Sequence, residues 1–312
     1  MMDKVRRMRE ITNEEGVKGG LQAIKRFLEW HAGRALNPIL KWRFERQYGH
    51  GIDIIESDWD NLIILDACRY DVFKNHSQFE GNLKKVVSKG YNSWTFQFSN
   101  FAGKNLLDTI YVTANPYSPR ISQGVFFRLV SVLDAWNEQS GAVLPQSVTN
   151  TALAETQKYP NKRLIIHYMQ PHEPHIGDYD LGFDQAGSGN LSHPKDGMSV
   201  WDANQKGIIT DEELRLSYVE NLRAVETDVQ KLVNQLPGKT VISADHGENL
   251  GERLFGMKIY SHKYQTPQCR FVPWLELDYD SRRDVTPSDS VGDVRPGQQT
   301  IENRLEDLGY TK

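Results

Sequence analysis

Residues 241–252 of this chain of 312 residues read VISADHGENLGE. The first four have strand character and run directly into Asp245 and His246, which a loop punctuated by glycine follows. A short apolar run of this kind is typical of a strand buried in a parallel sheet. Open α/β sheets bind ligands in the crevice at the carboxyl ends of their strands. The stretch therefore predicts an oxygen donor and an imidazole nitrogen in such a crevice, where the pair has either a structural role or a metal-binding one.

Two other segments repeat this pattern. Residues 61–71 read NLIILDACRYD, so that an apolar run ends in Asp66. Residues 164–175 read LIIHYMQPHEPH, an apolar strand that opens into a loop with His172 and His175. The carboxyl ends of parallel strands meet at one edge of the sheet, so we expect these side chains to converge there with those of the first stretch.

With His262, these segments resemble the motifs of the alkaline phosphatase superfamily, in its sulfatase-like and phosphodiesterase-like branch. The matching pieces are LDACRYD at 65–71, HYMQPHEPH at 167–175, ADHGENLGE at 244–252 and His262. The resemblance extends over residues 58–278. It implies an α/β fold with a mostly parallel central sheet and helices on both faces, in a three-layer sandwich. It also implies a metal-dependent hydrolase or transferase acting on phosphoric or sulfuric esters.

The same resemblance places a metal ion on Asp66, Asp245 and His246. Mixed oxygen and imidazole donors favour Zn²⁺ or Mn²⁺ over Ca²⁺, which takes oxygen ligands in most of its sites. We therefore predict at least one divalent cation, with the number of ions, one or two, left open.

Further roles follow for residues near these ligands. His172, His175 and His262 either complete a second metal site, as three-histidine zinc sites do, or contact the anionic oxygens of the ester. Arg69 and Lys263 stand beside proposed ligands in the sequence and are predicted to bind substrate through their charge. The alternative for both cations is a solvated position on the surface.

The nucleophile is predicted in the small polar stretch 88–99. Ser93 is the first choice, Thr95 the second and Ser88 the third, and the alternative for each is a role in capping a helix. Neither Cys68 nor Cys269 is followed by the residues that formylglycine formation requires. An unmodified hydroxyl therefore favours phosphate over sulfate esters, and a sulfatase-like hydrolase is the alternative.

Composition sets limits on partners and location. The net charge of −4 does not favour nucleic acid binding. Two cysteines far apart in the chain do not indicate a disulfide framework, and neither a signal peptide nor a membrane-spanning apolar run is visible. We therefore expect a cytoplasmic enzyme whose substrate is a phosphorylated or sulfated small molecule, glycan or lipid headgroup.

The chain divides into three predicted parts. Residues 1–50 form a basic helical arm, residues 51–280 the catalytic domain, and residues 281–312 a linker and a short C-terminal helix. Up to Gln47 the arm contains eleven Lys or Arg against six Asp or Glu. Such an arm packs on its own domain or across a homodimer, or it lies on an anionic membrane surface. A different class of function, a catalytically degenerate scaffold in surface-polymer assembly, is also left open.

Overall fold

The computed structural model describes residues 33, 35–122, 124–183, 185, 198–288, 292 and 298–307. Its strands are β1 Asn61–Asp66, β2 Asn82–Val87, β3 Leu106–Thr113, β4 Phe126–Ser131, β5 Trp136–Asn137, β6 Ala142–Val143, β7 Arg163–Pro171, β8 Thr240–Ser243, β9 Asn249–Leu254, β10 Met257–Ser261 and β11 Phe271–Glu276. Its helices are α1 at 35–48, α2 Tyr70–His76, α3 Ser93–Phe101, α4 Ser118–Ile121, α5 Pro145–Lys158, α6 Val200–Gln205, α7 Asp211–Val233, α8 Pro267–Arg270 and α9 Gln298–Asp307.

The central sheet has seven strands in the order β2-β11-β8-β1-β7-β3-β4. The pairings β8–β1, β1–β7, β7–β3 and β3–β4 are parallel. Within this sheet, β11 pairs antiparallel with β8 on one side and with the edge strand β2 on the other. The predicted mostly parallel sheet is therefore confirmed.

Strand β1 shows why the sheet has helices on both faces. Its six residues are all buried, and successive side chains of a strand point to opposite faces. Ile63 and Leu65 belong to a core that includes residues of α5 and α7, whereas Leu62 and Ile64 pack with Phe96 of α3 on the other face. A strand without a polar face needs cover on both sides, as the sequence predicted.

Helix α7 is the long helix that precedes β8. Helix α7 begins with a capping box, in which Thr210 and Glu213 each satisfy a backbone N–H of the other. Its apolar stripe is buried in the main core. The helix also contacts the carboxyl end of β1, because Tyr218 donates a hydrogen bond to the carbonyl of Ala67, directly after that strand, at 2.5 Å.

The described parts of both termini pack on the sheet domain. On α1, Phe44 is buried and its ring centre lies 5.4 Å from that of Phe271, whereas Ile39 and Trp42 are each 62% exposed. Ile301 of the C-terminal helix is buried in the main core. Residues 1–32 of the predicted arm lie outside the described residues, so its domain boundaries and its membrane or dimer contacts remain predictions. No helix among the described residues is long and apolar enough to cross a membrane.

Candidate active site

Asp66, the last residue of β1, has one oxygen held by hydrogen bonds. Its Oδ2 accepts from Asn115 Nδ2 at 2.8 Å and from Ser93 Oγ at 3.1 Å. Its Oδ1 makes no hydrogen bond to any residue that the structure describes, although the side chain is completely buried. A buried carboxylate oxygen without a donor is costly. One oxygen is therefore fixed by the protein while the other is available to a cation.

Asp245 likewise has one oxygen that accepts hydrogen bonds and one that accepts none from the described residues. Its Oδ1 accepts from the backbone N–H of Ala67 at 3.0 Å and from that of His246 at 2.8 Å. Its Oδ2 has no hydrogen-bond donor within the described part of the chain. The bond to Ala67 joins the turn after β8 to the turn after β1, so the ends of the two parallel strands hold their carboxylates together.

His246 completes this first cluster. Its Nδ1 donates to the Gly247 carbonyl at 2.8 Å, and its Nε2 lies 3.4 Å from Asp66 Oδ1 and 3.4 Å from Asp245 Oδ2. Metal–ligand distances of 2.0–2.2 Å in a tetrahedral zinc site separate the ligand atoms by about 3.4 Å. The three atoms that face one another therefore have the spacing and the chemistry of a shared divalent cation.

The pKa values of the cluster reflect this concentration of charge. Burial alone would raise the pKa of Asp66, but contacts with His167 and His246 outweigh it and hold the pKa well below its usual range. Burial alone would lower the pKa of His246, but Asp245 and Asp66 outweigh it and raise the pKa to about 10. Without a cation the cluster thus retains a proton on the ring, and a cation would replace that proton.

Ser93 reaches this cluster from the first turn of α3. Its side chain is 1% exposed, and its Oγ lies 3.1 Å from Asp66 Oδ2 and 3.3 Å from His246 Nε2. The helix begins where the sequence predicted a polar loop, with Asn92 as its N-cap. Its N-terminus brings partial positive charge to the position of the Ser93 hydroxyl, which favours a developing oxyanion there.

The other two hydroxyls proposed as nucleophiles have structural partners instead. Thr95 forms the capping box with Asn92, since its backbone N–H donates to Asn92 Oδ1 at 2.9 Å and its Oγ accepts from the Asn92 N–H. Ser88 donates to the Asp245 carbonyl and supports the end of β8. Of the three candidates, only Ser93 contacts the side chains of the first cluster among the described residues.

A second cluster lies beside the first. It consists of His172, Glu248 and His262, whose candidate ligand atoms are all within 4.8 Å of one another. His262 Nδ1 is 3.2 Å from the Glu248 carboxylate, and the rings of His246 and His262 are 4.6 Å apart. His172 Nδ1 donates to the Glu173 carbonyl at 2.6 Å, which fixes the ring. His262 was predicted among the metal ligands, and here its partners are His172 and Glu248.

His175 does not join either cluster in the described structure; the sequence left open whether it completes a three-histidine metal site or contacts the ester. Its Nδ1 lies 2.8 Å from Ser217 Oγ on α7, and its ring packs against Tyr218. Burial, together with the nearby His172, lowers its pKa to about 3. Glu248 supplies the third donor instead. The Gly247 before it passes close to Gln268, where a Cβ would lie 2.1 Å from that residue's carbonyl oxygen.

The two predicted substrate-binding cations have different surroundings. Arg69 is 5% exposed and its guanidinium is already engaged, by Asp71 and Glu252 with N–O distances of 2.7 Å to each. It also donates to the Glu248 carbonyl at 3.2 Å. This arrangement makes Arg69 a residue that joins the two loops rather than a free positive charge for substrate. Lys263 follows His262 at the surface, and its carbonyl accepts from Asn37 at 2.9 Å.

The sequence interpretation missed three side chains of the site. Glu248 lies in the quoted loop, two residues after His246, but glycine-rich loops do not reveal which side chain turns inward. His167 stands inside an apolar strand, where a histidine is more often a core residue. Asn115, which follows β3, carried no signal of its own, since only the parallel pairing of β3 with β7 brings it to Asp66.

Comparison of the sequence with known protein families and curated proteins finds no relative. No protein-family model matches the chain, and no curated protein is similar to it.

Several solved structures do resemble it. One is the soluble domain of lipooligosaccharide phosphoethanolamine transferase A from Neisseria meningitidis, at 14% identity and a TM-score of 0.46, over 69% of this chain and 75% of that one. Another is the C-terminal periplasmic domain of EcEptC from Escherichia coli in complex with Zn, at 13% and 0.45, over 72% and 75%. A third is a protein in the alkaline phosphatase superfamily from Vibrio parahaemolyticus, at 11% and 0.40, over 80% and 65%. The solved structures that match thus include a member of the superfamily that the sequence motifs resemble.

Proposed function

We propose that the chain is a metal-dependent hydrolase or transferase of phosphate esters in which Ser93 is the nucleophile. The observation that carries this proposal is the position of Ser93 Oγ, 3.1 Å from Asp66 Oδ2 and 3.3 Å from His246 Nε2. A hydroxyl at the N-terminus of a helix, in contact with two candidate metal ligands, is where an activated nucleophile is expected.

The charge of the site explains why a cation is needed. Asp66, Asp245 and Glu248 are all buried, and an anionic ester would be repelled by three carboxylates in a low-dielectric site. Arg69 does not offset them, because Asp71 and Glu252 already pair with it. A divalent cation held by Asp66, Asp245 and His246 would neutralise this charge and make the Ser93 hydroxyl easier to deprotonate.

Ser93 then acts by two in-line displacements. Its hydroxyl loses a proton to solvent, and its Oγ attacks phosphorus while the bond from phosphorus to the leaving oxygen breaks. The leaving oxygen takes a proton from water, and a phosphoryl group remains on Ser93. Water or an acceptor hydroxyl attacks the same phosphorus, and the Ser93 oxygen leaves. The rings of His172 and His262 lie beside His246, on the side of the second cluster.

The second cluster favours a further cation over direct contact with the anion. Glu248 would repel a phosphoryl oxygen, whereas two imidazoles and a carboxylate form a common zinc ligand set. We propose Zn²⁺ or Mn²⁺ for both positions. The substrate is a phosphorylated small molecule, glycan or lipid headgroup. Sulfate esters are the second choice of substrate, because neither Cys68 nor Cys269 is followed by the residues that formylglycine formation requires.

Turnover of three chromogenic esters tests the proposal. Protein loaded with Zn²⁺ or Mn²⁺ is assayed with p-nitrophenyl phosphate, bis-p-nitrophenyl phosphate and p-nitrophenyl sulfate. We expect one of the two phosphate esters to be turned over fastest, and to lose turnover when a chelator removes the metal. Sulfate turnover above both phosphate esters would contradict the choice of phosphate, and metal-independent turnover would contradict the mechanism.

A further inference from the structure

His167, on β7, lies between the two carboxylates of the first cluster. It is completely buried, and its Nε2 is 3.6 Å from Asp66 Oδ2 and 3.7 Å from Asp245 Oδ2. This nitrogen makes no hydrogen bond to any residue in the described part of the chain. Buried polar atoms are nearly always paired, so a histidine kept for the core would have both nitrogens satisfied. The unpaired side of this ring instead faces two candidate metal ligands.

The other side of the ring is held by a chain of buried hydroxyls. His167 Nδ1 is 2.8 Å from the hydroxyl of Tyr111, which accepts a hydrogen bond from Ser118 Oγ at 3.1 Å. Ser118 Oγ is in turn 2.9 Å from Thr113 Oγ1, which accepts from the backbone N–H of Asn115 at 3.0 Å. Because Ser118 donates to Tyr111, the Tyr111 proton is available for His167 Nδ1.

The direction of this chain determines the tautomer of His167. When Tyr111 donates to Nδ1, the ring carries its own proton on Nε2, which faces the carboxylates. Separations of 3.6 Å and 3.7 Å are too long for hydrogen bonds, so the effect on the carboxylates is electrostatic. An N–H dipole pointing between two buried carboxylates reduces their mutual repulsion where the dielectric constant is low.

We propose that His167 is a positioning residue of the first cluster. Fixed by Tyr111, it holds the carboxylates of Asp66 and Asp245 at the spacing that a divalent cation needs. This inference rests on the proposed binding of a cation by the first cluster, and it does not depend on which ester is the substrate. Residues that orient metal ligands in this way typically change metal affinity by about 10–100-fold when they are removed.

The test is the affinity for Zn²⁺ of the full chain, measured by competition with a chromophoric chelator. His167→Ala should weaken the site that Asp245→Ala removes by about 10–100-fold. His167→Gln should recover part of that loss, because its amide N–H takes the position of Nε2. Tyr111→Phe should weaken binding in the same direction, since it removes the donor that sets the tautomer. Tyr168, the next residue of β7, has its hydroxyl bonded to Thr149. Tyr168→Phe removes that hydroxyl and should leave the affinity unchanged.

The outcomes separate the two proposals. A folded His167→Ala variant with wild-type zinc affinity would overturn the role of His167, as would equal losses in His167→Ala and Tyr168→Phe. Should His167→Ala fail to fold, His167→Gln and Tyr111→Phe decide the question in the same assay. A wild type that binds no zinc would refute the role as well. Zinc binding that depends on His167 in a protein with no ester turnover would remove the proposed function and leave this inference intact.

Discussion

Ser93 Oγ donates a hydrogen bond to Asp66 Oδ2 at 3.1 Å, across 27 residues of sequence. The bond joins the first turn of α3 to the carboxyl end of β1. The hydroxyl thus contacts Oδ2 of Asp66. The other oxygen of that carboxylate, Oδ1, has no hydrogen-bond donor among the described residues. One side chain thus orients the proposed nucleophile and offers a ligand atom to the proposed cation.

Ser93 and Thr95 form a matched pair for testing the nucleophile. Ser93→Ala should lower turnover of the preferred ester by at least on the order of 10³-fold, because no other candidate hydroxyl contacts a side chain of the first cluster in the described structure. Thr95→Ala should change turnover little but cost about 1 kcal/mol of unfolding free energy, because it breaks the capping box of α3. Steady-state kinetics and denaturant unfolding measure the two effects, and the reverse result would make Thr95 the nucleophile.

Glu248 and His175 provide the corresponding test of the second cluster. Glu248→Gln should reduce the number of Zn²⁺ ions bound per chain by one, because it removes a donor from the set with His172 and His262. His175→Ala should leave that number unchanged, since its Nδ1 is already paired with Ser217. Isothermal titration calorimetry with Zn²⁺ measures the number of ions bound by each variant. Loss of an ion in His175→Ala with full binding in Glu248→Gln would restore the three-histidine site.

Cation binding should release a proton from His246. Its pKa is raised to about 10 in the absence of metal, so its ring is protonated at about pH 8 and must lose a proton to offer Nε2 to the ion. Calorimetric titrations of Zn²⁺ in two buffers with different ionisation enthalpies should show roughly one proton released per chain from this residue. Asp245→Ala serves as the control, and an enthalpy independent of the buffer in the wild type would contradict the assignment.

The same pKa shift predicts how the stability of the metal-free protein depends on pH. A histidine whose folded pKa lies above its unfolded value of 6.5 stabilises the fold fully below pH 6.5. That contribution is lost as the pH rises through about 10. Thermal unfolding of chelator-treated protein should therefore show a falling midpoint over this range, and saturating Zn²⁺ should reverse the trend. A midpoint that rises from pH 6.5 to 10 in the metal-free protein would contradict it.

The sequence predicted the sheet and part of the site because both depend on local pattern. An apolar run such as that of β1 fits only a strand covered on both faces, and its last residue is then at the ligand-binding edge. Asp66, Asp245 and His246 were therefore predictable as neighbours. The sequence also favoured Ser93 over Thr95, but which hydroxyl the first turn of α3 directs toward Asp66 is visible only in the structure.

The rest of the site depends on tertiary contacts. His167 is separated from Asp66 by about a hundred residues, and only the pairing of β7 with β1 makes them neighbours. His175 was a candidate because a spacing of three between histidines is a familiar ligand pattern, whereas Glu248 meets His172 and His262 only in the fold. From the sequence, Arg69 was predicted to bind substrate through its charge. Its ion pairs with Asp71 and Glu252 could not be foreseen, because these residues come together only in the fold.

The central claim is that Asp66, Asp245 and His246 bind a divalent cation, and metal content tests it most directly. Protein purified without chelator is analysed for its elements, alongside Asp245→Ala and the control Asp278→Ala, an exposed aspartate after β11. We predict at least one equivalent of Zn or Mn per chain in the wild type and in Asp278→Ala, and one equivalent less in Asp245→Ala. A wild type without stoichiometric metal, or an Asp245→Ala variant that retains all of it, would contradict the account.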